Sequence, residues 1–207
     1  MVDRLLSSKL NLHSDWIIYP NLAPFEPSGQ FLLVPSAGFP ELPHFPQLMT
    51  KNLLEDMILI TQNSKDVMIF FNSRHGGATQ DHFHLQVVAY GNKFPIESAN
   101  NYPIRAFVFE GEDAKGPRMW NFVKRFQFEK IPFNLIYLSN RFYLVPRNIE
   151  KEVVSEFPNL LASMEVCGRF IFSDKKAFDQ ATENCILNAL DKIGLPQDKF
   201  EALQNET

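Results

Sequence analysis

The chain of 207 residues is 45% hydrophobic and carries 20 phenylalanines, an aromatic supply suited to a sheet packed against helices and hard to reconcile with a disordered chain. Its net charge of −4 provides no general attraction for nucleic acid or an anionic membrane surface, so neither is expected as a partner. A phosphorylated ligand has to be met by local groups.

Residues 1–14 read as a polar arm or a helical turn. They lack the apolar run of a signal peptide, and no later segment supplies the roughly 18 uninterrupted apolar residues of a membrane span, so a soluble cytoplasmic protein is expected. Residues 15–19 form a first strand closed by Pro20, residues 21–30 a turn rich in proline and glycine, and residues 31–35 a second short strand. Residues 36–46 carry prolines at 40, 43 and 46, too many for a regular element. From 47 to 62, Met49, Leu53, Met57 and Ile60 recur at helical spacing, which turns Lys51, Glu55 and Asp56 outward. The continuous apolar run 67–71 is a central strand, and the turn 72–81 leads into an opposing strand from 82 to 90.

Residues 94–99 are proline-broken, 104–109 form another strand, and 110–117 a charged surface loop. Met119, Phe122, Val123 and Phe126 make a short helix. Residues 131–138 and 141–147 flank a turn at Ser139 and Asn140. This second unit parallels the first: Pro24-Phe25-Glu26 leading to Phe31 through Ser36 matches Pro132-Phe133-Asn134 leading to Phe142 through Arg147, as in an internal duplication. A final helix, about 175–193, turns Phe178, Ala181, Cys185, Ile186 and Ala189 inward. It is capped near Ser173 or Asp174 and stops at Gly194 with Pro196 beyond. The organisation expected is an arm (1–14), one domain (15–195) with half-repeats of about 15–110 and a degenerate 115–195, and a flexible tail (196–207). Cys167 and Cys185 stand outside any C-x-x-C spacing, suggesting neither a zinc ribbon nor a disulfide framework.

The chemistry concentrates in residues 71–88. Strand alternation puts His82, His84 and Gln86 on one face and Phe83, Leu85 and Val87 on the other. A neutral imidazole is a competent nucleophile toward phosphorus, and His84 at the centre of the row is the natural choice. Its second nitrogen needs an acceptor to hold the tautomer, which a backbone carbonyl can supply. Attack forms a nucleotidyl-imidazole. His82 assists the leaving group or a bridging oxygen, and Gln86 offers an uncharged N–H donor to a phosphate oxygen, which favours transfer over hydrolysis. Gly76 and Gly77 allow an anion-binding turn across Ser73, Ala78 and Thr79, with Asn72, Ser73, Thr79 and Arg74 as side-chain donors. Arg74 and Arg105 are the candidate charge partners for phosphate.

Other readings stand beside this one. His-x-His is also a metal-ligand spacing, but no Cys, Asp or Glu follows on the matching face, and neither metal nor cofactor is expected. A pair of structural histidines is the bland alternative; His75 reads as a loop residue, and His13 and His44 as surface residues. A hydrolase of the same substrates, and a non-catalytic nucleotide- or metal-binding protein, remain as alternatives to transfer.

With these residues in view, the chain resembles the transferase branch of the histidine-triad superfamily. His82-Phe83-His84-Leu85-Gln86 is similar to the signature of galactose-1-phosphate uridylyltransferases, diadenosine tetraphosphate phosphorylases and GDP-hexose phosphorylases. The last group is matched over the longest distance, about residues 15–193. The matching pieces are Asn21-Leu22-Ala23-Pro24 through Pro35, Gly77 through Gln86, Phe94 to Glu97, Pro103 to Gly111, Ile131 to Leu135, Phe142 to Arg147, and Met164 to Gly168. Gln30 stands where relatives usually have histidine, and the zinc-binding cysteines of some uridylyltransferases have no counterpart.

The resemblance implies an α+β fold, a mainly antiparallel sheet with flanking helices built from two half-domain repeats. It implies a nucleotidyl-His84 intermediate with His82 and Gln86 assisting, and Asn72 with the 76–79 backbone on the phosphates. The expected partners are a nucleotide or nucleotide-sugar substrate and a phosphate-bearing acceptor. A homodimer, as in some relatives, is compatible with the sequence.

Overall fold

The computed structural model describes residues 3–5, 7–22, 24–26, 29–36, 45–97, 102–149, 154, 157, 160–172 and 174–205. The run 67–71 becomes β4 (Val67–Asn72), whose Met68, Ile69, Phe70 and Phe71 are at most 1% exposed. A strand apolar on both faces has to lie inside a sheet covered on both sides. It does: β4 pairs with β5 (Leu85–Ala89) on one side and with β7 (Phe133–Leu138) on the other. Outward from this pair run β3 (Gln30–Ser36), β2 (Asp15–Pro20) and β1 (Asp3–Leu5) in one direction, β8 (Arg141–Pro146) and β6 (Phe107–Phe109) in the other. Among the described residues the sheet has eight strands in the order β1-β2-β3-β5-β4-β7-β8-β6, and each pairing between them is antiparallel.

Each face has its own core. On one, Ile69, Phe71, Leu85, Leu135 and Leu144 pack with residues of α2 (Lys51–Gln62), α3 (Pro117–Phe128) and α7 (Gln197–Asn205). On the other, Met68, Phe70, Val88, Ile136 and Val145 pack with residues of α4 (Ser163–Val166) and α6 (Glu183–Ile193). The α+β class, with a mainly antiparallel sheet between helices, is as expected. Among the described residues no helix is long and apolar enough to cross a membrane.

Four expectations need correction. The arm joins the sheet, with β1 pairing antiparallel to β2 and α1 (Ser7–Leu10) following it. Asp56 does not face outward on α2. It is fully buried and accepts bonds from His13 N at 2.6 Å, Ser14 N at 3.0 Å and Trp16 Nε1 at 3.0 Å, because the segment entering β2 crosses the helix at that point. The C-terminal helix is two helices, α5 (Lys175–Gln180) and α6, broken where Ala181 turns extended and Thr182 caps Cys185 N. Phe178 on α5 is 62% exposed, and the residues α6 buries are Ala189, Leu190 and Ile193. Finally, the expected flexible tail is α7, which buries Phe200 and Leu203 and sets the Phe200 ring 4.6 Å from that of Phe107. Residues 37–44, with His44 and two of the three prolines of that stretch, lie outside the described residues. Cys167 is buried and Cys185 half-buried, both as free thiols.

Candidate active site

The ladder between β4 and β5 stops at Phe70 opposite Gln86; the strand proper begins at Leu85, and His82 to His84 precede it outside the ladder, His82 within a bend. The alternation survives. Phe83 and Leu85 are fully buried in the α2 and α3 core, whereas Gln86 stands opposite Phe70 and Leu32 and so shares the α4 and α6 face with Phe70. His82, His84 and Gln86 are half-buried.

Where the next ladder bonds would fall, a side chain replaces them. Gln47, 3% exposed, donates from Nε2 to Asn72 O at 2.7 Å and accepts at Oε1 from His84 N at 3.1 Å. Its amide stands in for a peptide unit and holds the ends of β4 and β5 apart at the position where Asn72 and His84 face each other across the opening.

The imidazole of His84 has a fixed tautomer. Nδ1 donates to His82 O at 2.8 Å, since a carbonyl can only accept, and this leaves the lone pair on Nε2. Burial pushes the pKa of His84 below its ordinary value; the bond to the His82 carbonyl opposes this and the neighbouring His82 ring adds to it. Burial thus favours the neutral ring. His82 keeps Nδ1 at 3.2 Å from Phe83 O. Gln86 accepts at Oε1 from Gln30 Nε2 at 2.5 Å, and the buried Gln30 accepts in turn from Phe25 N at 3.2 Å.

The 72–81 loop is anchored on the second half of the sheet. Asn72 Oδ1 accepts from Asn134 Nδ2 at 2.7 Å and from Ser163 Oγ at 2.5 Å. Ser73 is bound to β7: its N donates to Phe133 O at 3.0 Å and its Oγ accepts from Phe133 N at 2.7 Å. Gly76 N and Ala78 N both donate to Ser73 O, at 2.9 and 3.4 Å, so two N–H groups of the expected anion nest close the turn instead. The glycines answer to packing. A Cβ at Gly76 would lie 2.7 Å from Phe133 O, and one at Gly77, where φ is +101°, would lie 2.6 Å from Ala162 Cβ. Arg74 is exposed and pairs through Nε with Asp81 Oδ1 at 3.0 Å, and Thr79 is also exposed. Arg105 lies elsewhere, bonding Leu195 O and Gln197 Oε1 at the start of α7.

The structure thus gathers His82, His84, Gln86 and Asn72 and assigns Ser73, Gly76 and Ala78 first to the fold of the loop. Several residues that shape the candidate site escape sequence reasoning. Gln47 offers no signal, being a single polar residue after a proline-rich stretch. Asn134, fully buried in an apolar strand, is a polar residue out of pattern. Arg147, 1% exposed, spreads its guanidinium over Asn134 Oδ1 at 2.7 Å, Leu161 O at 2.9 Å and Ile193 O at 3.2 Å. Among the described residues no three His, Cys, Asp or Glu side chains converge as metal ligands. Past the end of β5 opens a cavity of about 570 Å³, lined in part by Glu26, Tyr90, Lys93, Phe94 and Arg169.

Residues 78–207 match the family model described as GDPGP1-like, C-terminal domain. The chain is 24% identical to GDP-L-galactose phosphorylase 2 of Arabidopsis thaliana over 220 aligned residues, covering 91% of this chain and 50% of the relative, so it spans about half the length of that curated protein. Among solved structures, yeast Ap4A phosphorylase Apa2 in complex with Ap4A superposes with a TM-score of 0.69 at 19% identity, covering 87% of this chain and 74% of that one. Its AMP complex gives 0.67 at the same identity and coverage. At that identity the likeness is one of fold.

Proposed function

Because the chain belongs to the GDPGP1-like family, we propose that it is a nucleotidyltransferase of the phosphorylase type. It acts on a nucleoside-diphosphate sugar or a dinucleoside polyphosphate and passes a nucleoside monophosphate through His84 to phosphate or a sugar phosphate. The observation that carries this reading is His84 itself: Nδ1 donates to His82 O, which leaves the lone pair of the neutral ring on Nε2 for attack, and burial favours that neutral form. The relatives named above are phosphorylases of a nucleotide sugar and of Ap4A, the two substrate classes proposed here.

In the first step the Nε2 lone pair forms a bond to the α-phosphorus and the bond from phosphorus to the bridging oxygen breaks. That oxygen departs as part of a phosphate anion, a leaving group stable without a proton. His82, on the same face, assists this oxygen as it gathers charge; its Nδ1–H is taken by Phe83 O, so it donates from Nε2 only when the ring carries both protons. In the second step an oxygen of the acceptor phosphate attacks, the P–N bond breaks and the electron pair returns to Nε2. Two in-line displacements at one phosphorus give ping-pong kinetics. The amide N–H groups of Gln86 and Asn72 stabilise the equatorial oxygens in both steps, with the 76–79 loop beside them.

The test is intact-mass analysis after incubation with a panel of NDP-sugars and dinucleoside polyphosphates. An acid-labile nucleotidyl adduct is expected in the wild type and absent in His84→Ala, with turnover that rises with added phosphate. No adduct and no phosphate-dependent turnover across the panel overturns the proposal. Nucleoside monophosphate release at a rate indifferent to phosphate identifies a hydrolase instead.

A further inference from the structure

Two carboxamides flank His84, and both have their oxygens taken. Gln86 Oε1 receives Gln30 Nε2 at 2.5 Å, and Asn72 Oδ1 receives Asn134 Nδ2 at 2.7 Å. A carboxamide can turn by half a rotation at little steric cost and exchange its acceptor for its donor, so the partner on its oxygen decides which end a ligand meets. Each partner amide is itself fixed by a donor. Phe25 N bonds Gln30 Oε1 at 3.2 Å, and Arg147 bonds Asn134 Oδ1 at 2.7 Å. Since a backbone N–H and a guanidinium only donate, Gln30 and Asn134 must present their NH2 groups to the next residue, and Gln86 and Asn72 must receive them on oxygen. What Gln86 and Asn72 then have to offer a ligand is NH2. Gln30 and Asn134 are at most 3% exposed, so bulk water does not relax either choice.

We propose that Gln30 and Asn134 are positioning residues of the phosphoryl site, two parallel relays that fix the amides of Gln86 and Asn72 with their N–H donors available to anionic phosphoryl oxygens. The proposal rests on the nucleotidyl-transfer reading. It adds that the site discriminates by donor orientation. A neutral, doubly N–H-lined site favours the charge that builds on the equatorial oxygens during transfer, and the reverse orientation of either amide would set an oxygen lone pair against it. The two relays come from different places, Phe25 before β3 and Arg147 after β8, so the two amides are set independently.

The test uses Gln30→Glu, which keeps the acceptor for Phe25 N and replaces the donor with an anionic oxygen. Gln86 then turns its NH2 toward position 30 and its oxygen toward the substrate. At pH 8 a fall in kcat of about a hundredfold, the size of effect seen when one donor to a developing oxyanion is lost, is expected with KM within threefold of the wild type. In the Gln86→Ala background the same change is expected to have less than a threefold effect. The substrate-free protein gives a second readout, because the side-chain NH2 resonances of Gln86 shift in Gln30→Glu as the group leaves the solvent-facing side. Asn134→Asp, which gains an ion pair with Arg147, is the parallel variant for Asn72.

Unshifted Gln86 resonances, or a kcat loss that persists undiminished in Gln86→Ala, overturn the proposal. A wild type that turns over nothing in the substrate panel overturns the transfer reading instead. The NH2 shift still decides in that case whether Gln30 sets the amide of Gln86.

Discussion

The side chain that holds β4 and β5 apart makes a sharp prediction. In Gln47→Glu the introduced carboxyl keeps an acceptor for His84 N, 3.1 Å away in the wild type, but as a carboxylate it faces Asn72 O, which the native Nε2 meets at 2.7 Å, with no proton to share. A buried acceptor left unsatisfied costs about 1–3 kcal/mol, and the carboxylate must also be buried close to the Asp81 carboxyl, whose Oδ1 accepts from Gln47 N at 3.3 Å. A destabilisation of about 3 kcal/mol at pH 8 is expected. For a chain of this length that corresponds to a Tm lower by about 6–12 °C.

The protonated acid restores the native pattern, with its O–H donating to Asn72 O. The pKa of the introduced group in the folded protein is therefore raised above the ordinary glutamate value of about 4.3. A raised folded-state pKa means that the native state takes up the proton first, so the stability is fully present below the ordinary value and is lost as pH rises through the folded-state pKa. Thermal unfolding of variant and wild type at matched pH from 4 to 8 should show curves that converge in acid and separate in alkali. A difference that does not vary with pH, or no difference, would refute the bridging role of Gln47.

Two further outcomes follow from the geometry. Phe200→Ala removes a ring buried against Phe107 and should destabilise by about 3–5 kcal/mol in chemical denaturation; a loss under about 1 kcal/mol would mean that α7 does not dock in solution. Because burial depresses the pKa of His84, protonation of Nε2 is postponed on acidification. The acid limb of the single-turnover rate of nucleotidyl-adduct formation should be centred below 6.5, the ordinary histidine value. An acid limb centred above 6.5 would contradict the burial of this ring.

The legible parts of the chain are those decided by near neighbours. The run 67–71 places β4 at the centre because no other position buries both faces of a strand. The tautomer of His84 is set two residues away, and the alternation from Phe83 to Gln86 sorts the site from the core across the end of the ladder. The illegible parts are decided at long range. The partners of Gln86 and Asn72 lie 56, 62 and 91 residues away in sequence, and nothing about a lone Gln30 or Ser163 announces them. Asp56 misleads helical periodicity for a related reason, since its position is polar by pattern and buried by the crossing of residues 13–16. A terminal segment beyond Gly194 and Pro196 reads as a tail, although Phe200 and Leu203 stand at a helical i, i+3 spacing that matches the buried stripe of α7.

The seam between β4 and β7 gives the last consequence. The imidazoles belong to the first half of the chain, yet the donors to the oxygen of Asn72 come from Asn134 and Ser163 in the second, and Arg147 clasps Gly76 O, Leu161 O and Ile193 O together. A partly folded form in which residues 133–193 have come away would keep His84 and its tautomer while Asn72 lost both donors to its oxygen. Loss of turnover under denaturant is thus tied to the opening of the seam and need not wait for the unfolding of the strand that carries His84. On the transfer reading, the half of the molecule without the imidazoles sets how long the other half stays competent.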